Sequence, residues 1–359
     1  MKRQGYELGV FIWFRTLNKK EENAYNLFRG LIMVKAYVTG AGGIIGSHLV
    51  EYLHKLGYEV KGSYYTPTVD LNDINKEGVD LFELDVRDHE KMKKFINEYL
   101  PDKIFHLAAQ SRPTESWEDP YYTMDVNAKG TVGLFEAIKA AKKVHPEYDP
   151  MVVAISSSAI YGEALLSYSP DNLPKEDCAL LPLHPYGVSK AAEDLTCFQY
   201  FRNFGIKNAR VRLFNCTGPR KIQDITGDFT KRAVELEMKG DNHLVVGNLS
   251  ALRAIIDARD VCVALEILSR KGVPGEAYNI CSSHIFKMSH VVECIEKIMG
   301  VKYELVLDPK LLRPADEKLY AGNCDKMKAL GWKETYEYEQ TVRDCIDYWR
   351  YKLKGKKLS

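Results

Sequence analysis

Short apolar runs alternate with segments of helical periodicity along the first two thirds of the chain. The apolar runs predict buried strands at residues 36–38, 57–63, 79–85, 101–109, 151–156 and 209–215. Helical spacing predicts helices that begin at or run through residues 47–53, 90–99, 125–144 and 185–194. Strands that alternate with helices in this order predict a parallel, doubly wound α/β sheet.

Beyond Asn215 the alternation loosens. Turn-rich stretches at 218–221 and 225–228 precede shorter helical and strand-like pieces. We therefore predict a sheet domain of residues 33–214 plus 254–281, and a smaller lobe of residues 215–253 plus 282–352. Residues 1–32 are predicted to be an N-terminal extension outside the core, so a protein without them should still fold.

Three closely spaced glycines interrupt the first predicted strand–helix unit. Gly40, Gly43 and Gly46 form a G-x-x-G-x-x-G pattern, and Ile44 and Ile45 lie between the last two glycines. Glycines suit a turn in which a Cβ would block the backbone from approaching a diphosphate, and the following helix N-terminus favours an anion. The strand–turn–helix context predicts a dinucleotide site, although a turn without a ligand has the same local pattern.

Composition and charge argue against several kinds of binding partner and site. The formal net charge of +1 gives no reason to expect a nucleic acid or an anionic membrane surface, and no apolar run is long enough to span a bilayer. The eight cysteines include no C-x-x-C pair, so we predict neither a disulfide framework nor a metal site. These features predict a protein of the reducing cytoplasm.

A tyrosine and a lysine stand at one-turn spacing after the fifth predicted strand. Tyr186 and Lys190 form a Y-x-x-x-K pattern, which places the phenol and the ammonium on the same side of a helix. A nearby cation lowers the pKa of a phenol, and a phenol tuned in this way transfers protons near neutral pH. Ser157 ends the fifth strand, where its hydroxyl is placed to bind a substrate oxygen.

These motifs, in this order, resemble the extended short-chain dehydrogenase/reductases that act on nucleotide sugars. The resemblance covers residues 33–350 and rests on 39–46, 106–110, 156–162, 186–190 and 214–215. Within that family the chain is most similar to the branch of GDP-mannose 4,6-dehydratases and GDP-4-keto-6-deoxymannose reductases, on the segments 110–111, 116–117, 246–249, 312–316, 331–332 and 347–350. The resemblance implies a Rossmann-type NAD(P)-binding domain and a smaller lobe that binds the nucleotide sugar.

The resemblance also implies roles for individual residues. Tyr186 is the acid/base at the sugar C4 oxygen, Ser157 binds the same oxygen, and Lys190 holds the nicotinamide ribose. The implied cofactor-binding residues are Gly40, Gly43, Ile44, Ile45, Gly46, Tyr64, Asp85, Val86, Leu107, Ala108, Ala109 and Lys190. The implied substrate-binding residues are Gln110, Ser111, Asn215, Lys231, Asn248, Arg253, Arg313 and Asp316.

One position departs from the dehydratase pattern. The 4,6-dehydratases carry a glutamate two residues after the catalytic Ser/Thr, and this chain has Ala159 there. An alanine moves no proton, which counts against elimination across C5 and C6. Glu163 lies further along the chain than the family pattern places the base.

The cofactor is NADP or NAD. The second strand of such folds commonly ends in an acid for NAD or an arginine for NADP, and residues 63–66 contain neither. Since no carboxylate repels a 2′-phosphate, we favour NADP, with Thr66 or Lys61 as candidate contacts.

We predict an enzyme that acts at C4 of a nucleotide sugar, most simply the reduction of a GDP-4-keto-6-deoxyhexose with Tyr186 as proton donor. A nucleotide-sugar 4-epimerase and a GDP-mannose 4,6-dehydratase with a non-standard base are the alternatives within the class. A non-catalytic dinucleotide-binding sensor is an alternative from a different class. The resemblance further implies a homodimer formed through the helices near 125–144 and 186–204.

Overall fold

A computed structural model describes residues 33–311 and 319–355. The predicted extension 1–32 and the predicted substrate residues Arg313 and Asp316 lie outside the described residues. No described helix combines the length and the apolar character needed to cross a membrane.

The centre of the fold is a seven-stranded sheet in which every neighbouring pair is parallel. Its strands are β1 Lys35–Thr39, β2 Glu59–Tyr64, β3 Val79–Glu83, β4 Lys103–His106, β5 Met151–Ser157, β6 Asn208–Leu213 and β10 Ala277–Ile280. The order β10-β6-β5-β4-β1-β2-β3 confirms the predicted doubly wound sheet. The strand order reverses between β1 and β4, and ligands of open α/β sheets bind beside such a reversal.

Helices cover both faces of this sheet and make two apolar layers. One layer packs α1 (Ile44–Lys55) and α8 (Ala258–Lys271) through Leu49, Leu53 and Leu265. The other packs α2 (His89–Tyr99), α5 (Gly130–Val144) and α6 (Pro185–Phe204). Shorter helices α3 (Pro113–Glu118) and α4 (Pro120–Met124) precede α5.

The predicted helix at 125–144 begins differently from the expectation. Residues Asp125–Lys129 form one turn of π-helix that continues α4 into α5. Such single wide turns occur inside helices and are frequent at functional sites. Helical periodicity alone did not predict this turn, because a single wide turn is too short to change the periodicity of the whole segment.

Outside the seven-stranded sheet, the described residues form two small sheets and three longer helices, which we refer to as the smaller lobe. One sheet joins β7 (Asn215–Thr217), β9 (Leu252–Asp257), β11 (Ile285–Lys287) and β13 (Leu319–Tyr320), and the other pairs β8 (His243–Val246) with β12 (Glu304–Leu307). Helices α7 (Ile225–Lys239), α9 (Ser289–Met299) and α11 (Tyr338–Lys354) enclose a separate apolar cluster, and α10 (Asp325–Lys328) is short. The 3₁₀ turns are 71–73, 158–160, 163–167 and 309–311.

Candidate active site

The glycine turn after β1 is shaped by contact with the end of β4. Gly40 has φ +71°, and a Cβ there would lie 2.7 Å from the backbone nitrogen of Ala108. A Cβ on Gly46 would lie 2.2 Å from the carbonyl oxygen of Gly40. Only glycine fits at either position, because backbone atoms cannot move away as a flexible side chain does.

The start of α1 fits a dinucleotide diphosphate. Gly43 is the N-cap residue and offers no side-chain cap, and the first turn carries no acidic residue. Ser47 makes the first helical bond, to the Gly43 carbonyl at 2.9 Å. The N–H groups of Ile44, Ile45 and Gly46 therefore precede the helical ladder, at the positive end of the helix dipole.

A buried chain of polar groups fixes the end of β4 against β1. The Thr39 hydroxyl accepts from the N–H groups of Leu107 (3.0 Å) and Ala108 (3.1 Å), so its own proton is directed at His106 Nδ1, 2.9 Å away. His106 Nε2 then donates to Thr131 Oγ1 at 3.1 Å. Burial lowers the pKa of His106 to about 3, and the Lys190 charge acts in the same direction. The imidazole is therefore neutral, and its role is to hold residues 107–109 in place.

The residues after β3 include Asp85 and Val86, which the resemblance implies as cofactor-binding residues. Arg87 binds the Asp85 carboxylate through Nε and Nη2, the latter at 2.6 Å. Burial favours a higher pKa for Asp85, but the hydrogen bonds from Arg87 outweigh it and leave that pKa below its usual value. The guanidinium carbon of Arg87 lies 5.8 Å from the ring centre of Tyr65 and 4.9 Å from that of Tyr122. Sequence reasoning did not single out Arg87.

The suggested role of Lys61 in binding a 2′-phosphate is wrong. Its Nζ lies 3.1 Å from Asp80 and 5.0 Å from the ring centre of Tyr99. Tyr99 ends α2, and its hydroxyl donates to the Glu59 carbonyl at the first residue of β2. Lys61 therefore extends toward the edge where the strands start, away from the edge where ligands bind. Thr66 follows Tyr65 with φ +46°.

Strand β5 and helix α6 carry the predicted catalytic residues. Ser157 ends β5, is 8% exposed, and its hydroxyl accepts from the Ala159 N–H at 3.1 Å. Tyr186 is the second residue of α6 and is partly buried. His184 caps that helix by accepting from the Gly187 N–H at 3.0 Å, and its ring stacks on Tyr186 at 5.9 Å between ring centres.

Lys190 lies one turn further along α6 and points into the protein. Its Nζ donates to the Ile155 carbonyl and to Glu193 Oε2, each at 2.5 Å. The side chains of Lys190 and Glu193 are 3% and 1% exposed. Burial raises the pKa of Glu193 to about 7, although the Lys190 charge opposes the rise.

Asn127 connects two segments of the candidate site, and the sequence analysis did not single it out. From the π-helical turn it accepts from the Gln110 N–H (2.8 Å) and donates to the Gln110 carbonyl (3.0 Å) and to Ser189 Oγ (2.8 Å). It thereby ties the loop after β4 to α6. The sequence did contain one signal, the spacing of Thr123, Asn127 and Thr131 at every fourth residue, and the structure shows that all three are fully buried.

The loop after β4 also holds two predicted substrate residues. Gln110 Nε2 donates to the Arg112 carbonyl at 2.9 Å, whereas its buried Oε1 has no partner among the described residues. Ser111 is exposed beside it. An orphan acceptor at the mouth of the reversal between β1 and β4 is consistent with an additional donor from a ligand.

The predicted nucleotide-binding residues lie in different parts of the smaller lobe. Arg253 is paired with Tyr320 across β9 and β13, and its guanidinium lies 6.0 Å from the Tyr320 ring centre. The Tyr320 hydroxyl is 2.8 Å from Ser158 Oγ, which also lies 3.1 Å from the Leu213 carbonyl. Arg253 is thus connected to the loop that follows Ser157.

The remaining predicted substrate residues are more scattered. Asn215 starts β7 and pairs with Ile255 of β9. Asn248 accepts from the backbone and the hydroxyl of Ser250. Lys231 lies 5.4 Å from the Trp349 ring centre, on the side of α7 that faces α11.

Most of the chain, residues 37–345, matches the family model described as GDP-mannose 4,6 dehydratase. The chain belongs to this family. A GDP-6-deoxy-D-mannose reductase of Pseudomonas aeruginosa is 28% identical over 323 residues, covering 89% of this chain and 98% of the relative.

Two solved structures extend the comparison. RMD from Pseudomonas aeruginosa complexed with NADPH has a TM-score of 0.75 at 27% identity, covering 89% of this chain and 100% of that chain. UDP-glucose 4-epimerase with UDP-glucose from Thermotoga maritima has a TM-score of 0.78 at 25% identity, and the match covers 89% of this chain and 99% of that chain. The chain is thus an enzyme of the extended short-chain dehydrogenase/reductase type, in the superfamily of nucleotide-sugar dehydratases, reductases and epimerases. Relatives solved with NADPH or NAD support a nicotinamide dinucleotide as its cofactor.

The residue after Ser158 bears on the type of reaction, because the 4,6-dehydratases have a glutamate base at that position. Ala159 is 7% exposed, and its carbonyl packs against Gly187 in the first turn of α6. Its methyl group offers no atom that accepts a proton. Glu163 is exposed and begins the next 3₁₀ turn.

Proposed function

We propose that this enzyme reduces the C4 ketone of a GDP-4-keto-6-deoxyhexose with NADPH. The observation that carries the proposal is Ala159, which stands where an eliminating enzyme needs a base, beside an intact set of Ser157, Tyr186 and Lys190. The similarity to the Pseudomonas aeruginosa reductase supports the same reaction.

Each of the three side chains has a separate role in the proposed reduction at C4. The nicotinamide supplies the hydride. Tyr186 donates its phenolic proton to the C4 oxygen as that oxygen gains negative charge, and Ser157 donates a hydrogen bond to the same atom. Lys190 orients the nicotinamide ribose and supplies positive charge near the phenol.

The end of β2 supports NADPH as the reductant. Tyr64, Tyr65 and Thr66 include no carboxylate, so the end of β2 itself does not repel a 2′-phosphate. Arg87 is a candidate for its cationic partner, since it contacts the Tyr65 ring and its Nη1 makes no hydrogen bond to a described residue, although its Nε and Nη2 bind Asp85.

For the nucleotide we propose guanosine diphosphate, held by the smaller lobe. Arg253 matches the oxygens of a diphosphate by its guanidinium geometry, and Asn215, Lys231 and Asn248 with Arg313 and Asp316 complete the proposed set. Gln110 and Ser111 are proposed to contact the sugar.

We further propose a cytoplasmic homodimer formed through α5 and α6. Both helices present exposed apolar side chains, among them Val132 (38%), Val188 (46%), Leu195 (53%) and Phe198 (42%). Apolar groups gathered on neighbouring helices favour burial against a second copy.

A 4-epimerase is the second candidate. Ala159 leaves C4 redox chemistry intact, which an epimerase also uses, and the Thermotoga maritima epimerase has the same fold. An epimerase regenerates its cofactor in every cycle, whereas a reductase consumes it stoichiometrically.

The test supplies the purified protein with a GDP-4-keto-6-deoxyhexose and NADPH, and separately with UDP- and GDP-hexoses and NAD. We expect one NADPH oxidised per ketone reduced, with the product identified by mass spectrometry. Tyr186→Phe should abolish turnover while cofactor affinity is kept. Interconversion of UDP-hexoses without net cofactor consumption would instead establish the epimerase.

A further inference from the structure

A buried carboxylate contacts the proposed catalytic lysine from the next turn of the same helix. Glu193 lies three residues after Lys190 in α6, and Glu193 Oε2 is 2.5 Å from Lys190 Nζ. Only 1% of the Glu193 side chain is exposed. Ion pairs at i,i+3 on the surface contribute little to the free energy of folding. In a pair that is buried away from water, however, each charge needs its counter-charge, because an unpaired buried charge is strongly destabilising.

The donors of Lys190 are almost fully used inside the protein. An ammonium has three N–H donors. One is directed at the Ile155 carbonyl, one at Glu193, and one is left for a further acceptor. Ile155 lies two residues before Ser157, so these contacts hold the ammonium beside the catalytic end of β5.

We propose that Glu193 is a positioning residue, whose carboxylate holds the Lys190 ammonium in place so that its remaining donor meets the nicotinamide ribose. The inference rests on the proposed function, because it takes Lys190 as the ribose-binding residue. Glu193 itself touches neither substrate nor cofactor in this assignment.

The other charged groups around this pair do not replace Glu193. On α6, the Asp194 carboxylate is occupied by Arg210 and Arg212 of β6, at 2.6 and 3.0 Å. On β4, His106 is neutral, and on α6 burial raises the pKa of the Cys197 thiol, which keeps it uncharged as well.

Among the described residues, Glu193 is thus the anion that balances Lys190. The charged residues of the π-turn before α5, Asp125 and Lys129, pair with each other at the surface, as do Glu136 and Lys139 of α5.

Protonation of Glu193 should change how the cofactor binds. Its pKa is about 7, so Glu193 is ionised above neutral pH and gains a proton as the pH falls through 7. A protonated Glu193 no longer balances the ammonium. Cofactor binding through Lys190 should therefore weaken below pH 7, and Glu193→Gln, which mimics the protonated acid, should bind weakly at every pH.

The test measures the dissociation constant of NADH by fluorescence from pH 6 to pH 8.5, since NADH lacks the titratable 2′-phosphate. At pH 8.5 we expect Glu193→Gln to bind about tenfold more weakly than the wild type, as for the loss of one charge-assisted hydrogen bond. The two curves should converge at pH 6. Glu98→Gln removes an exposed glutamate near Lys94 and serves as the matched control, with wild-type binding at every pH.

Equal binding by Glu193→Gln and wild type at pH 8.5, or the same loss at every pH, would overturn the inference, because a purely structural role gives no convergence. Should Glu193→Gln fail to fold, the wild-type curve decides alone, and an affinity that does not fall below pH 7 overturns it. None of these readings requires a nucleotide sugar. Absence of turnover with every sugar tested would therefore count against the proposed function and leave the role of Glu193 decided by binding.

Discussion

Asp194 offers the sharpest test of how α6, the helix that carries the proposed catalytic residues Tyr186 and Lys190, is held to the sheet. It is fully buried on α6, and its carboxylate accepts from Arg210 Nη1 at 2.6 Å and from Arg212 Nε and Nη2 at 3.0 and 3.2 Å. The two arginine side chains are 11% and 6% exposed. Asp194→Asn keeps the shape of the side chain and removes its charge, which leaves two guanidinium groups of β6 without their anion.

The expected cost follows from burial. Removing one partner of a buried ion pair destabilises a protein by about 3–5 kcal/mol, because the remaining charge is left in a poorly solvating interior. Arg212 keeps hydrogen bonds to the Glu176 carbonyl (2.7 Å) and the Tyr161 hydroxyl (3.2 Å), which favours the lower end of that range. At roughly 2–4 °C per kcal/mol, the melting temperature should fall by about 6–12 °C.

The assay compares urea and thermal unfolding of the wild type, Asp194→Asn and a matched surface variant. Asp149 also bridges two cations, Lys142 at 3.0 Å and Lys207 at 2.6 Å, but it is 42% exposed. Asp149→Asn should cost less than about 1 kcal/mol, since exposed pairs are screened by solvent. If Asp194→Asn were no more destabilising than Asp149→Asn, burial would not decide the strength of these pairs, and the same reasoning about Glu193 and Lys190 would lose its basis.

Three further predictions concern cofactor choice, cofactor binding and assembly. Arg87→Ala should weaken NADPH binding about tenfold while NADH binding changes little, in paired fluorescence titrations; an equal loss for both would mean that Arg87 does not contact the 2′-phosphate. Gly46→Ala should weaken binding of both cofactors at least about tenfold, because the added Cβ meets the Gly40 carbonyl at 2.2 Å, and unchanged affinity in calorimetry would contradict the assigned cradle. Leu195→Glu should convert the proposed dimer to monomer in light scattering, whereas an unaltered mass would place the interface elsewhere.

The sheet was predictable because the local sequence pattern indicates most of its strands. The central strands are buried on both faces and are therefore short apolar runs, as in residues 36–38 of β1 and in β5. Glycine turns and helix starts then fix where each strand ends, and the ends of the strands define the binding edge. The confirmed prediction, a parallel and doubly wound sheet, needed no information beyond this alternation, whereas the order of the strands is known only from the structure.

The features that sequence reasoning missed depend on contacts between distant segments. Glu193 and Lys190 have the spacing of an ordinary surface ion pair, and only the packing of α6 on β5 shows that both are buried. Arg87 acquires its aromatic neighbours from Tyr65, the residue after β2, and from Tyr122 of α4, which lie before and after it in the chain. Lys61 was misassigned because its position in β2 does not tell toward which end of the strand its long side chain extends.

The hydrogen bond between Tyr320 and Ser158 limits how this protein can be recombined with its relatives. One hydroxyl group of the smaller lobe, next to Arg253 in the sheet register, completes the polar contacts of the loop between Ser157 and Ala159. A chimaera that takes the proposed nucleotide-binding segments from another enzyme must therefore bring a hydroxyl group at this register position, or the loop after Ser157 loses a hydrogen bond from a distant part of the chain. Exchange of those segments consequently changes two coupled parts of the protein, which meet at the Ser158 side chain.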